Sequence, residues 1–184
     1  MKFRLSALAA STMDVANHVV FSVKDRKPLL QDDSFREATW AYMAGVCRKL
    51  EGFALIVGGY YDHAHLLVRI PAKIAVSDFV VRVKANTSKH INDSRDAVLD
   101  FHWQGGYGAF TVSASRKQSV ISYIENQMEH HRVNSFQDEV RLLLDKHAIE
   151  YDEISFGNDS AQQLCRPPAF FVARGWGPMA DALG

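Results

Sequence analysis

The 184-residue chain carries 21 Lys and Arg against 21 Asp and Glu, so its formal net charge is zero, and neither a uniformly basic nucleic-acid coat nor a polybasic membrane tail fits. With 47% hydrophobic and 23% charged residues it reads as a globular domain, not as a disordered or collagen-like chain. The two cysteines, Cys47 and Cys165, lack C-x-x-C spacing and are too few for a disulfide framework, which points to a reducing, cytoplasmic setting.

Residues 1–10, MKFRLSALAA, place Lys2 and Arg4 before an apolar run too short for a secretory signal, and 1–14 is expected to be an N-terminal extension that adds little to the core. Val15 to Val23 (VANHVVFSV) is β-branched with partial alternation and predicts a central strand ending at the charged turn KDRKP. Phe35, Ala38, Tyr42, Val46 and Leu50 recur every three or four residues behind the cap candidates Asp32, Asp33 and Ser34, predicting an amphipathic helix over 34–50. Phe53 to Tyr61 and Ala64 to Ile70 are two apolar strands separated by Asp62 and His63, a tight hairpin or bend closed by Pro71. The first of them falls far short of the roughly 20 apolar residues of a membrane helix, so no span is expected.

Ser77 to Ile91 predicts a second helix with Phe79, Val80, Val83 and Ile91 inside. Phe101 to Val112 (FHWQGGYGAFTV) predicts a loop running into an edge strand, and Ser115 to His131 and Phe136 to His147 predict two further helices. The order β, α, β, β, α, β predicts an α+β fold: a ferredoxin-like, RRM-like antiparallel sheet with helices on one face, followed by a helical extension. The domain is expected over 15–156, with 157–184, rich in Gly, Pro, Gln and Asn, as a tail.

Charge is distributed unevenly. Between Arg69 and Arg95 the basic residues Arg69, Lys73, Arg82, Lys84, Lys89 and Arg95 face only Asp78 and Asp93, a stripe suited to phosphates, or equally to a solvated helix face. In DHAHLLV, His63 and His65 are two residues apart on a strand, so they point to one side and form either a divalent-cation pair or a metal-free histidine pair. Asp62 beside them is an orienting group or a turn residue. On the later helix Tyr123 and Gln127 stand one turn apart and share an arc with Arg116 and His130, beside the core arc of Val120, Ile121, Ile124 and Met128.

A His-x-His strand followed by a Tyr-x-x-x-Gln helix resembles the single-tyrosine HUH transposases of small bacterial insertion sequences, including the REP-associated tyrosine transposases. HVVFSVKDRKPLL (18–30), VGGYYDHAHLLVRIP (57–71), VKANTSKHIN (83–92), FHWQGGYGAFTVS (101–113) and YIENQMEHHRVNSFQDE (123–139) carry the resemblance, in that order. Ala64 departs from it, since the middle residue of the motif is usually a bulkier hydrophobe. The resemblance implies a homodimer with shared active sites that binds single-stranded DNA with hairpin ends and cuts and rejoins one strand. It also implies His63, His65 and Gln127 as ligands of Mg2+ or Mn2+, and Tyr123 as the nucleophile.

A phenol attacking a phosphodiester needs charge neutralised on the phosphate, which a bound cation supplies, and no Walker-type loop is present or needed. Arg82, Lys84, Lys89 and Arg116 are the expected phosphate contacts, and Trp103 and Tyr107 the expected base-stacking groups. Alternatives are a domesticated palindrome-processing relative, a larger nickase of the same chemistry, and a non-catalytic ferredoxin-like nucleic-acid binder. A small-molecule metal hydrolase is disfavoured because the motif holds no carboxylate ligand.

Overall fold

A computed structural model of the chain describes residues 15–94 and 100–150; the expected extension over 1–14, the tail over 157–184 and Arg95 lie outside the described residues. Strand β1 (Ala16–Ser22), helix α1 (Asp33–Lys49), strands β2 (Phe53–Gly59) and β3 (His63–Arg69), helix α2 (Val76–Ser94) and strand β4 (Gly108–Val112) follow one another as expected. Helices α3 (Lys117–Glu125), α4 (Gln127–His130) and α5 (Phe136–Lys146) complete the described elements. The four strands form one sheet in the order β2-β3-β1-β4, with antiparallel pairing throughout. This is the ferredoxin-like α+β arrangement, with β1 and β3 central and β4 on an edge.

Strand alternation divides the fold into two layers of packing. Val19 and Phe21 of β1, with Ala64, Leu66 and Val68 of β3, join Met43, Val46, Phe79, Val80, Val83 and Ile91 in the main core beneath α1 and α2. Ala64 is fully buried there, so the small residue between the two histidines belongs to the α1–α2 side and leaves the histidine side untouched. The other face of the sheet is covered by the helical extension: Leu67 and Val112 pack with Ile124, and Val20 and Phe110 with Leu143.

Local chemistry sets the element ends. The Asp32 carboxylate accepts the Phe35 N–H at 2.7 Å and starts α1, while Arg48 and Lys49 close it. Ser135 caps α5 in the same way, its Oγ accepting the Asp138 N–H at 3.2 Å. The helix expected over 115–131 is interrupted: Asn126 leaves helical geometry, and its side chain donates to the Ser122 carbonyl at 2.7 Å, dividing α3 from α4. The β2–β3 connection is also displaced from the expected Asp62-His63 pair. Tyr60 to Asp62 form the turn, and His63 is already in the strand, opposite Ser22.

Two glycines govern this region. At Gly58 a Cβ would fall 2.7 Å from Ile124 Cγ2 and 3.0 Å from the Ile124 carbonyl oxygen, so α3 rests directly on the backbone of β2. Gly59 has φ +149°, and a Cβ there would meet the His63 carbonyl oxygen at 2.3 Å. Gly59→Ala should therefore lower stability by about 2 kcal/mol or more, measured as a drop in the chemical-denaturation midpoint. An unchanged midpoint would show that the hairpin does not depend on this conformation.

Candidate functional site

The site is assembled on the sheet face covered by α3, α4 and α5. His63 and His65 are fully buried, point to the same side and have ring centroids 5.1 Å apart. Each imidazole is oriented through its Nδ1. Asp62 Oδ1 lies 2.7 Å from His63 Nδ1, and its other oxygen is 3.1 Å from the Arg26 guanidinium. Burial alone would raise the Asp62 carboxyl, but His63 and Arg26 outweigh it and hold the group below its ordinary value. As an ionised carboxylate has no proton to give, His63 Nδ1 is the donor, and its Nε2 presents a lone pair to the site. Burial likewise keeps the His63 imidazole neutral, pushing it below its ordinary value against the opposing pull of Asp62.

His65 Nδ1 is 2.9 Å from His18 Nε2, the residue two positions before Val20, which pairs with His65 across β1 and β3. Burial, reinforced by His65, drives the His18 imidazole down to about 3, so it stands neutral near pH 7. His65 Nε2 is buried and has no hydrogen-bond partner among the described residues. It lies 3.3 Å from Glu139 Oε1, outside hydrogen-bonding geometry.

The helices bring the other expected residues to the same point. Gln127, at the start of α4, is 1% exposed. Its amide N–H donates to Glu139 Oε1 at 3.0 Å, which turns its Oε1 toward His63 Nε2 at 3.4 Å. That last approach joins two lone-pair atoms with no proton between them. The Tyr123 ring centroid is 6.0 Å from that of His65 and 5.2 Å from that of His130, and its hydroxyl donates to Glu139 Oε1. Burial first, and the Glu139 charge second, push the phenol well above its ordinary value. Tyr60 is also close, with its ring 6.2 Å from His63 and 4.9 Å from His131.

A divalent cation fits this donor set. Imidazoles held through Nδ1, an amide oxygen facing one of them, and an orphaned buried Nε2 are what such a site requires. Sequence reasoning missed Glu139, His131 and His18. Glu139 is buried in the centre of the group, with Oε2 3.2 Å from His131 Nε2 and 3.5 Å from His63 Nε2. Burial would raise its carboxyl, yet its neighbours His65 and His131 hold it far below the usual carboxylate range. Glu139 thus places beside the histidines a second carboxylate, besides Asp62, that lies outside the His-x-His and Tyr-x-x-x-Gln motifs. Its helix-first-turn position, immediately after a Ser-x-x-Asp cap, reads in sequence as an ordinary dipole-facing acid.

The expected DNA contacts divide. Lys84 is 8% exposed, and its ammonium donates to the Gln104 carbonyl, to Gly105 at 3.1 Å and to Gly106 at 2.8 Å, so it ties the loop before β4 to α2 and is not a free phosphate contact. Trp103 is 7% exposed and makes T-shaped contacts with Phe21 and Phe101, with both ring centroids at 4.9 Å. Tyr107 is half-buried against the main core. Arg82 and Lys89 are exposed on α2, across the sheet from the histidines, with Lys89 2.8 Å from Asp93. Arg116 is exposed just ahead of α3.

Three comparisons bear on this arrangement. The family model described as "Transposase IS200 like" matches residues 11–127. The fold is similar to that of a candidate transposase from Deinococcus radiodurans R1, at 18% identity and TM-score 0.50, over 64% of this chain and 95% of that one. It is also similar to a REP-associated tyrosine transposase bound to a REP hairpin, at 11% identity and TM-score 0.50, over 71% of this chain and 74% of that one. No curated protein matches the chain in sequence. The structural likenesses speak to fold, and the family match speaks to ancestry.

Lys84→Met keeps the aliphatic stem and removes the three carbonyl bonds. It should cost about 1.5–3 kcal/mol of stability, read by denaturation, and leave the salt dependence of DNA binding unchanged. A flatter salt slope in a stable Lys84→Met protein would return Lys84 to the DNA path.

Proposed function

The chain belongs to the IS200-like transposase family, and from that premise we propose that it binds single-stranded DNA with hairpin ends and cleaves and rejoins one strand through a 5′-phosphotyrosine at Tyr123. The observation that carries the reading is the convergence of Tyr123 and Gln127 on His63 and His65 within one chain. The wider family assignment makes the protein a DNA-processing enzyme. Among the described residues no helix is long and apolar enough to cross a membrane, and a cytoplasmic location is part of the proposal, as is a structured domain over 15–156.

His63, His65 and Gln127 would hold a divalent cation, Mg2+ or Mn2+, which when bound supplies Lewis-acid neutralisation of the scissile phosphate. In cleavage the Tyr123 oxygen forms a bond to phosphorus as the bond from phosphorus to the 3′ oxygen breaks. The phenol, held beforehand by its hydrogen bond to Glu139 Oε1, gives up its proton to solvent water as the bond forms, and the 3′ oxygen takes one up. The phosphodiester energy is kept in the tyrosyl ester, so a 3′ hydroxyl can reverse the step and rejoin a strand. Asp62 and His18 fix the ring orientations throughout. Arg82, Lys89, Arg116 and Tyr107 remain the proposed DNA contacts, with the α2 residues reaching only a strand that passes around the sheet.

Tyr123→Phe preserves the ring and its packing and removes one oxygen. Cleavage of a labelled single-stranded palindrome with Mn2+ should fall by more than about a thousandfold, and the covalent protein–DNA band on denaturing electrophoresis should vanish. Tyr60→Phe should retain both. A covalent band surviving in Tyr123→Phe would move the nucleophile, and its absence in the wild-type protein would favour a binding module.

A homodimer with shared active sites also belongs to the proposal. Since Tyr123 stands beside the histidines of its own chain, sharing would require α3 to α5 to exchange between protomers. Mixing His63→Ala with Tyr123→Phe protein should restore cleavage if sites are shared, whereas each chain acting alone would give no recovery.

A further inference from the structure

Resting on the metal-assisted reading above, we propose that Glu139 is itself a ligand of the divalent cation, supplying the one anionic donor of the site from a helix beyond the family-matched segment, which ends at residue 127. One ligand atom each from His63, His65 and Glu139 lies within 4.8 Å of the other two. The two carboxylate oxygens divide between the imidazoles, Oε1 at 3.3 Å from His65 Nε2 and Oε2 at 3.5 Å from His63 Nε2. His63 Nε2 carries no proton, because its Nδ1 is the donor to Asp62, and His65 Nε2 has no hydrogen-bond partner among the described residues. Gln127 Oε1 faces His63 Nε2 at 3.4 Å. Three lone-pair donors, on His63, Gln127 and Glu139, and the unpartnered His65 Nε2 are therefore aimed into one volume, an arrangement that electrostatics opposes unless a cation stands among them.

The chemistry of the donors points the same way. Two imidazoles and an amide oxygen form a neutral set, whereas Mg2+ and Mn2+ favour hard oxygen donors and at least one carboxylate. Glu139 is 1% exposed, and so deep a carboxylate needs strong compensation for its lost hydration. His131 supplies part of it as a hydrogen-bond partner. Both of its nitrogens are engaged, Nδ1 with the Asn134 carbonyl at 2.9 Å and Nε2 with Glu139 Oε2 at 3.2 Å, so it is the carboxylate's tether and not a ligand. Because Glu139 Oε1 also accepts the Tyr123 hydroxyl, a single side chain connects the cation to the nucleophile.

The test is Mn2+ binding by the full-length, DNA-free protein, measured by isothermal titration. Glu139→Gln keeps the size of the side chain and an acceptor oxygen for Tyr123 and removes the charge. Wild-type protein should bind one Mn2+, His63→Ala and His65→Ala should lose it, and Glu139→Gln, with an unchanged circular dichroism spectrum, should bind about tenfold more weakly or worse. Wild-type affinity in Glu139→Gln, with both histidine variants defective, would overturn the role of Glu139 and leave the metal-assisted reading standing. Failure of the wild-type protein to bind, or binding that ignores both histidines, would overturn the two together. If Glu139→Gln does not fold, infrared difference spectra of wild-type protein with 13C-labelled glutamate decide the matter. One equivalent of Mn2+ should shift a glutamate carboxylate stretch, and an unshifted spectrum would overturn the proposal.

Discussion

A carboxylate that is 1% exposed has no water to solvate it, and the C-terminal half of the described fold is organised around that constraint. Glu139 is satisfied by groups from three different places, Gln127 at the head of α4, His131 just past its end, and Tyr123 on α3, and it lies 3.3 Å from His65 on β3. The carboxylate thus acts as the common acceptor through which the helical extension is registered onto the sheet. Removing its charge would leave several donors without a partner at once, which is why charge and shape must be separated experimentally.

The sheet and the helices contribute different kinds of order. β1 and β3 are flanked on both sides and buried on both faces, so His18, His63 and His65 are fixed to the stiffest part of the molecule. The Nδ1 atoms of His63 and His65 are committed to Asp62 and to His18 Nε2, so these two rings can present only Nε2. Tyr123, by contrast, rides on short helices divided at Asn126, which rest on the sheet through a few apolar contacts such as Ile124 on Leu67. In the proposed reaction, rigidly held histidines would face a tyrosine carried on short helices, which would have to meet, carry and surrender a DNA strand.

Periodicity made the fold legible in the chain. Alternation in VANHVVFSV and HAHLLV gave the central strands, and three-to-four spacing gave α1 and α2, because burying one face of each element is a local property of sequence. The pairing of His63 with His65 and of Tyr123 with Gln127 was readable for the same reason. Glu139 was not, because its burial depends on where α5 comes to rest, and a Glu in the first turn of a capped helix looks the same whether solvated or enclosed. His18 was hidden by register: only the pairing of Val20 with His65 shows that the ring two residues earlier stacks beside it. The burial of Lys84 and Trp103 was not legible for a related reason, since charge and aromaticity mark surfaces on average, while Lys84 turns inward onto the carbonyls of a glycine-rich loop and Trp103 onto Phe21 and Phe101.

The bare backbone at Gly58 has a meaning beyond close packing. Gly58 is the β2 residue paired directly with His65, and the turn of α3 seated on it is that of Ile124, the neighbour of Tyr123. One strand position therefore touches His65 on one side and the support of the Tyr123 phenol on the other. It works as a spacer of zero thickness, and the height of the phenol above the imidazoles is written on the strand beneath the helix. A methyl group there would act like a shim, lifting the tyrosine away from its target without altering a single atom of the reactive groups.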